Sequence, residues 1–188
     1  MSRIIAGTAG GRSLRTPAGS ATRPTTDRVR EAMFSRLTSL IDFADVRVLD
    51  LFSGSGALGL EAASRGAAEV LCVESDRATA RLIQRNAGAL DLDAVTVSCD
   101  RVERVLRRGP VDAAYDAVLA DPPYRLEEDS VAAMLLDLIE VEWLRPGAIV
   151  MLERSSRSPA PRWPPGLRPQ RSKAYGESTV HDAVRELE

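Results

Sequence analysis

The most constraining feature of this 188-residue chain is a largely apolar run, VRVLDLF at 46–52, that ends on Ser53-Gly54-Ser55-Gly56. A run this short and this apolar suits a strand buried on both faces. Glycines directly after it let the backbone turn sharply and approach a ligand closely. The same grammar then repeats. Ala57–Arg65 reads as a helix, EVLCVE (69–74) as a second buried strand, and about 77–90 as another helix. AVTVSC (94–99) is a third strand, followed by a short amphipathic helix over 101–108. YDAVLAD (115–121), a helix near 129–140 and GAIVMLE (147–153) continue the alternation. Strands alternating with helices predict an α/β fold, a parallel sheet with helices on both faces.

The flanks depart from that alternation. Residues 3–7 and 12–16, on either side of Gly10-Gly11, predict a small N-terminal β-hairpin. Val29, Met33, Leu37 and Leu40 recur at helical spacing, and Pro24 and Asp27 suit the start of a helix running from Thr25 or Thr26 to Leu40. The proline-rich stretch 158–169 reads as an irregular loop rather than a domain boundary. Beyond it RSKAYGE and STVHDAVREL, joined near Gly176, predict a C-terminal antiparallel hairpin. The expected organisation is a basic hairpin extension over 1–22 and one main domain over 23–188, with no internal repeat.

Charge is distributed unevenly beneath a net value of only −2. Residues 1–36 carry Arg3, Arg12, Arg15, Arg23, Arg28, Arg30 and Arg36 against Asp27 and Glu31 alone, and 154–173 carry five arginines and Lys173 with no acid. Basic ends on an acidic body point to a polyanion-binding face built from the two termini, or to solvated surface charge. Candidate polyanion contacts are Arg3, Arg12, Arg15, Arg23, Arg28 and Arg30, which the resemblance named below would assign to RNA. Cys72 and Cys99 have no CxxC partner and no histidine at ligand spacing, so no metal site is expected and the thiols read as reduced. Without a membrane-length apolar run or a secretory signal, the chain reads as cytoplasmic. Cys72 and Trp143 read as core, His181 as structural, and Trp163 stays open.

The glycine loop implies a nucleotide-like ligand, and the pattern GSGALG (54–59) matches a dinucleotide fingerprint. Asp50, four residues before Gly54, decides between ligands: a carboxylate facing the loop repels a pyrophosphate and suits a ligand carrying an ammonium and a sulfonium. S-adenosylmethionine (SAM) is therefore the expected cofactor. Glu74, twenty residues after Gly54, stands where an acid accepts ribose hydroxyls. Asp100, ending the third strand, is either an adenine-amine acceptor or a helix N-cap.

The most informative tetrapeptide is Asp121-Pro122-Pro123-Tyr124. Two prolines at a strand end fix φ twice and leave carbonyl oxygens as bare acceptors. With the Asp121 side chain they form a rigid acceptor set for a planar amino group, and Tyr124 offers a face for a base to stack on. An exocyclic nucleobase amine is a poor nucleophile, so acceptors on its hydrogens and in-line placement are the help it needs.

With both motifs in place, the chain resembles class I SAM-dependent methyltransferases of the (D/N)PPY type, and more narrowly the bacterial RsmD family. The resemblance rests on RIIAGTAGGRSLRTP, RPTTDRVREAMFS (23–35), VLDLFSGSGALGLEAASRGA (48–67), VESD, ADPPY and KAYGES, and spans nearly the whole chain. It implies a Rossmann-like, mostly parallel sheet and transfer of methyl from SAM to N2 of a guanine, position 966 of 16S ribosomal RNA, in the small subunit or its assembly intermediate. It implies cofactor contacts at Thr25, Asp50, Phe52, Ser53, Gly54, Gly56, Glu74 and Asp100, and a substrate site at Asp121, Pro122, Pro123 and Tyr124. A monomer without metal or membrane attachment is expected. Alternatives remain an adenine-N6 methyltransferase of DNA or RNA, a nicotinamide-dependent oxidoreductase, and a non-catalytic RNA-binding assembly factor.

Overall fold

The computed structural model describes residues 2–17 and 24–187, the first three residues of the second stretch as backbone only. In chain order the elements are β1 (Ser2–Arg3), β2 (Ser13–Leu14), α1 (Pro24–Thr38), β3 (Arg47–Leu51), α2 (Ala57–Ser64), β4 (Glu69–Val73) and α3 (Arg77–Ala89). They continue with β5 (Val95–Ser98), α4 (Val102–Arg108), β6 (Tyr115–Ala120), α5 (Glu128–Glu140), β7 (Leu144–Ser155), β8 (Leu167–Tyr175) and β9 (Ser178–Arg185). The expected alternation is present with its ends shifted by a few residues. β7 starts at Leu144 rather than Gly147 and pairs irregularly with β6 between Tyr115 and Ala117.

The large sheet runs β5-β4-β3-β6-β7-β9-β8. β3 pairs in parallel with both β4 and β6, so the order reverses beside the first strand of the alternation. That switch point leaves a crevice at the carboxyl ends of β3 and β6. β9 pairs antiparallel with β7 and β8, which gives the mostly parallel sheet its antiparallel edge. β8 includes Leu167–Pro169, which the proline content had assigned to an irregular loop. The edge position explains it: Pro169 needs no ladder donor on the solvent side, and the register shifts between Pro169 and Arg171.

Two apolar cores sandwich the sheet. One joins α1, α2 and α3 to Val48, Val70, Cys72, Ala117 and Met151; the other joins α4 and α5 to Leu49, Val118, Val150 and Leu152. Trp143 belongs to the second core and donates its indole N–H to Leu106 O at 2.8 Å. Trp163 packs at the edge of the same core, which closes the question the sequence left open.

The N-terminal hairpin is part of the first core, because Ile4, Ala9 and Leu14 are buried in it. Its backbone is clamped to α2. Glu61, itself fully buried, accepts Ile5 N–H at 2.7 Å and Ala6 N–H at 3.1 Å. Ser64 O accepts Thr8 N–H at 2.7 Å, and Ser64 Oγ accepts Ala9 N–H at 2.9 Å. Glu61 also pairs with Arg65 at 2.8 Å and lies 4.0 Å from Arg30 Nε. Removing one member of such a buried ionic cluster strands the others and costs about 3–5 kcal/mol. Glu61→Ala is therefore expected to lower stability by about 3 kcal/mol and to expose the hairpin arginines to trypsin, measured by urea unfolding and timed proteolysis; unchanged cleavage kinetics would sink this account.

Candidate active site

The glycine loop leaves β3 through a backbone few residues tolerate. Phe52 has φ 61°, a left-handed value that is strained for an aromatic side chain and typical of functional turns. Gly54 and Gly56 follow at φ 54° and 82°. A Cβ on Gly56 would stand 2.8 Å from Ile83 Cγ2, and one on Gly59 would stand 2.5 Å from Cys72 Sγ. Gly56 and Gly59 therefore let α2 lie close against α3 and β4. Gly56, expected at the cofactor, does its work in packing.

A cavity of about 580 Å³ opens at the crevice and is lined by Phe52, Gly54, Val73, Glu74, Ser75, Asp100, Val102, Asp121 and Pro123 among others. Six residues expected at the site, from four separate stretches of the chain (Phe52 and Gly54, Glu74, Asp100, Asp121 and Pro123), thus share one cavity. Glu74 reaches across the switch point: its Oε2 accepts Gly54 N–H at 2.9 Å and its Oε1 accepts Asp76 N–H at 2.8 Å. Asp100 accepts Arg101 N–H at 2.8 Å and pairs with Arg108 and, at 3.7 Å, Arg104. Those contacts, the Arg101 N–H first, hold its carboxyl below the usual range. It does not cap the second or third N–H of α4, so the N-cap alternative is not what the side chain does.

Asp50 is placed differently from the sequence expectation. It is fully buried behind the loop, where Oδ2 accepts Gly59 N–H at 2.9 Å and Oδ1 finds no partner among the described residues. Burial pushes its pKa up to about 7, against the opposing hydrogen bond from Gly59. Ser53 is also turned inward, donating Oγ–H to the Asp50 carbonyl at 2.9 Å. An unpaired buried anion beside the glycine loop fits a cationic ligand and no pyrophosphate.

A second, smaller cavity of about 130 Å³ shares Phe52, Gly54 and Asp121 with the first and adds Arg30 and Glu153. Asp121 opens to solvent within these cavities; the surrounding protein, Glu153 and Asp50, in that order, raise its proton affinity, an effect softened by that solvent. Pro122 is buried, and Tyr124, 57% exposed, lines neither of these cavities but a separate one with Ser155, Arg157 and Glu177. Glu153 had no place in the sequence reading. The available signal was its position as an acid at the carboxyl end of a buried strand.

Two basic expectations need correction. Arg30, proposed to meet RNA, is 2% exposed and is spent on Ser2 Oγ, Arg3 O and Asp27. Arg12 is half-committed: it binds Ala89 O, Leu90 O and Asp91 at the end of α3. A guanidinium there satisfies orphan helix carbonyls. Arg3, Arg15 and Arg28 are exposed. Near the other end, Arg154 is buried and Arg162 pairs with Asp129, while Arg157, Arg168, Arg171 and Lys173 remain exposed. Arg23 and the Thr25 side chain lie outside the described residues.

Residues 2–183 match the profile of the family described as conserved hypothetical protein 95. The chain belongs to this family. It is 36% identical over 191 residues to ribosomal RNA small subunit methyltransferase D of Escherichia coli (strain K12), covering 99% of this chain and 91% of that protein. YlbH of Bacillus subtilis (strain 168) is 33% identical over 95% of this chain and 96% of its own length. The solved structure of yhhF from Escherichia coli superposes with a TM-score of 0.87 at 31% identity, over 99% of this chain and 98% of that one. The family is that of RsmD-type rRNA methyltransferases, with SAM as methyl donor. The family and Asp50 together displace the nicotinamide alternative.

The Asp50 geometry yields a signed prediction. A carboxyl whose proton affinity is higher folded than unfolded makes the native state hold the extra proton, so stability falls as pH rises from about 4 toward 7. Asp50→Asn should flatten that part of the pH–Tm curve of the cofactor-free protein. The same change should weaken SAM binding about tenfold or more by calorimetry, because about 1.4 kcal/mol is one decade. An unaltered pH dependence together with unaltered affinity would refute the assignment.

Proposed function

We propose that this protein transfers a methyl group from SAM to the exocyclic N2 of a guanine in 16S rRNA, position 966 by family resemblance, within the small subunit or its assembly intermediate. The observation that carries the reading is the Asp121-Pro122-Pro123-Tyr124 turn at the end of β6, whose Asp121 and Pro123 line the same cavity as Glu74 and Gly54. We place its action in the cytoplasm, as a monomer. No helix of the described residues is long and apolar enough to cross a membrane.

When bound, SAM supplies an electrophilic methyl carbon on a positively charged sulfur. The protein's own residues prepare the nucleophile. Asp121 accepts one N–H of the amine, and the Pro122 carbonyl accepts the other, since Pro123 O is already taken by Leu126 N–H at 2.8 Å. This draws the nitrogen lone pair out of conjugation and aims it across the shared cavity wall. As the nitrogen forms its bond to carbon it sheds a proton, and Asp121, with its raised proton affinity, is placed to receive it. Tyr124 stacks the base at the rim. Glu74 and Asp100 hold the ribose and adenine portions of the cofactor, Asp50 answers its positive charge from behind the loop, and Thr25 covers it. No metal is called for, because the sulfonium would supply its own positive charge and the methyl C–S bond would break to leave a neutral thioether.

RNA contact falls on the exposed arginines Arg3, Arg15 and Arg28, joined by Arg168, Arg171 and Lys173 on the edge strand β8. Deleting the hairpin would expose the core that Ile4 and Leu14 seal, so charge changes are the proper probe.

The decisive assay is labelled methyl transfer to small subunits from a strain lacking this gene, with nucleoside analysis. N2-methylguanosine is expected; N6-methyladenosine would overturn the base assignment, and no transfer would favour a non-catalytic role. Asp121→Ala should cut the rate at least a hundredfold, in the range a positioned proton acceptor contributes, with SAM affinity nearly unchanged. Combined Arg3→Glu, Arg15→Glu and Arg28→Glu should weaken subunit binding and flatten its salt dependence while SAM affinity holds. A salt slope equal to wild type would place the RNA elsewhere.

A further inference from the structure

β6 and β7 run in parallel with Ala120 opposite Leu152, so the next residues, Asp121 and Glu153, stand side by side about 4.8 Å apart along the hydrogen-bonding direction. Ala120 and Leu152 both face the core on one side of the sheet, so their successors both face the other. Both carboxylates accordingly line the smaller cavity, with Phe52 and Arg30. Glu153 is only 9% exposed and is steadied by a hydrogen bond from Ser178 at the start of β9. Burial raises the proton affinity of both acids, and for Asp121 the neighbouring Glu153 adds to it. Such a pair is unfavourable in the resting protein and becomes favourable when a ligand inserts several N–H donors between the two.

The Watson–Crick edge of guanine carries that donor set: the two hydrogens of N2 and the adjacent N1–H. Adenine presents its amine next to an N1 lone pair instead. With Asp121 engaged on the amine, the acid on the neighbouring strand is placed to meet the ring position next to it. We infer that Glu153 is the specificity-determining residue of this site, accepting the guanine N1–H beside Asp121 and rejecting a base whose N1 bears a lone pair. A site built to bind a donor discriminates strongly against an analogue lacking it, because its own buried acceptor is then left unpaired. The inference rests on the guanine-N2 reading above and adds the residue that selects the base.

The test uses small subunits reconstituted from 16S rRNA that carries guanine or 2,6-diaminopurine at the methylated position. Both bases present a 2-amino group, but diaminopurine has a lone pair at N1. Wild-type protein should methylate guanine at least tenfold faster in single turnover. Glu153→Gln, which keeps the shape and can donate as well as accept, should lose at least tenfold on guanine, bring the ratio of the two bases close to one, and bind SAM as before. Equal slowing on both bases would make Glu153 merely structural, and an unchanged preference would remove it from the site. Lost SAM affinity would assign it to the cofactor. Each of these three results overturns the inference while wild-type transfer to guanine leaves the guanine reading intact. Transfer by wild type to neither base would remove that reading, and this inference with it.

Discussion

A single buried contact joins the parts of this molecule that must agree: the hydrogen bond from Gly59 N–H to Asp50 Oδ2, at 2.9 Å. It runs from α2 to β3 beneath the glycine loop, so the strand, the loop and the helix hold one relative position. The contact is possible because position 59 has no side chain; a Cβ there would stand 3.0 Å from the same oxygen. It leaves the other Asp50 oxygen without a partner, which costs stability in the resting protein. The geometry of the loop therefore rests on a carboxylate that is only half satisfied among the described residues.

The N-terminal hairpin extends the same logic to the substrate side. Glu61 and Ser64, on the face and at the end of the helix that Gly59 positions, hold the backbone of residues 5–9. Arg30 carries the network on to α1 and also borders the cavity that holds Asp121 and Glu153. The element that carries the exposed Arg3 and Arg15 is thereby tied mechanically to the glycine loop. Arginine is used in two ways in this chain. Buried copies such as Arg30 and Arg154 hold elements together, and others such as Arg3 and Arg15 stay exposed.

Those two uses mark the limit of what a charge count can reveal. Seven arginines in the first 36 residues read as one basic face, yet Arg30 is buried, Arg12 caps α3 and Arg36 pairs with Asp182 at 3.0 Å. Sequence composition records charge but not its partner, and apart from Asp27, three residues from Arg30, the partners here lie between 27 and 146 residues away. Glu153 escaped notice for a related reason. A terminal acid on an apolar strand is unremarkable until the neighbouring strand is known, and its neighbour in space, Asp121, is 32 residues earlier in the chain. The glycine loop and the proline turn were legible because each motif carries its chemistry within a few consecutive residues.

Local pattern alone determined the α/β alternation, the position of the glycine loop, the acid at the end of the second strand of the alternation and the acceptor turn at the end of β6. Each follows from short-range sterics and periodicity: apolar runs of strand length, φ freedom at glycine and φ restriction at proline. Only the tertiary structure decided that Asp50 sits behind the loop rather than on the cavity wall, that Ser53 turns its hydroxyl inward while lining the smaller cavity, and that Gly56 packs against α3. It also decided which arginines are free and that Glu153 joins Asp121 at one cavity. These are outcomes of strand register and of which face an element turns inward, and both are set by contacts between residues distant in sequence.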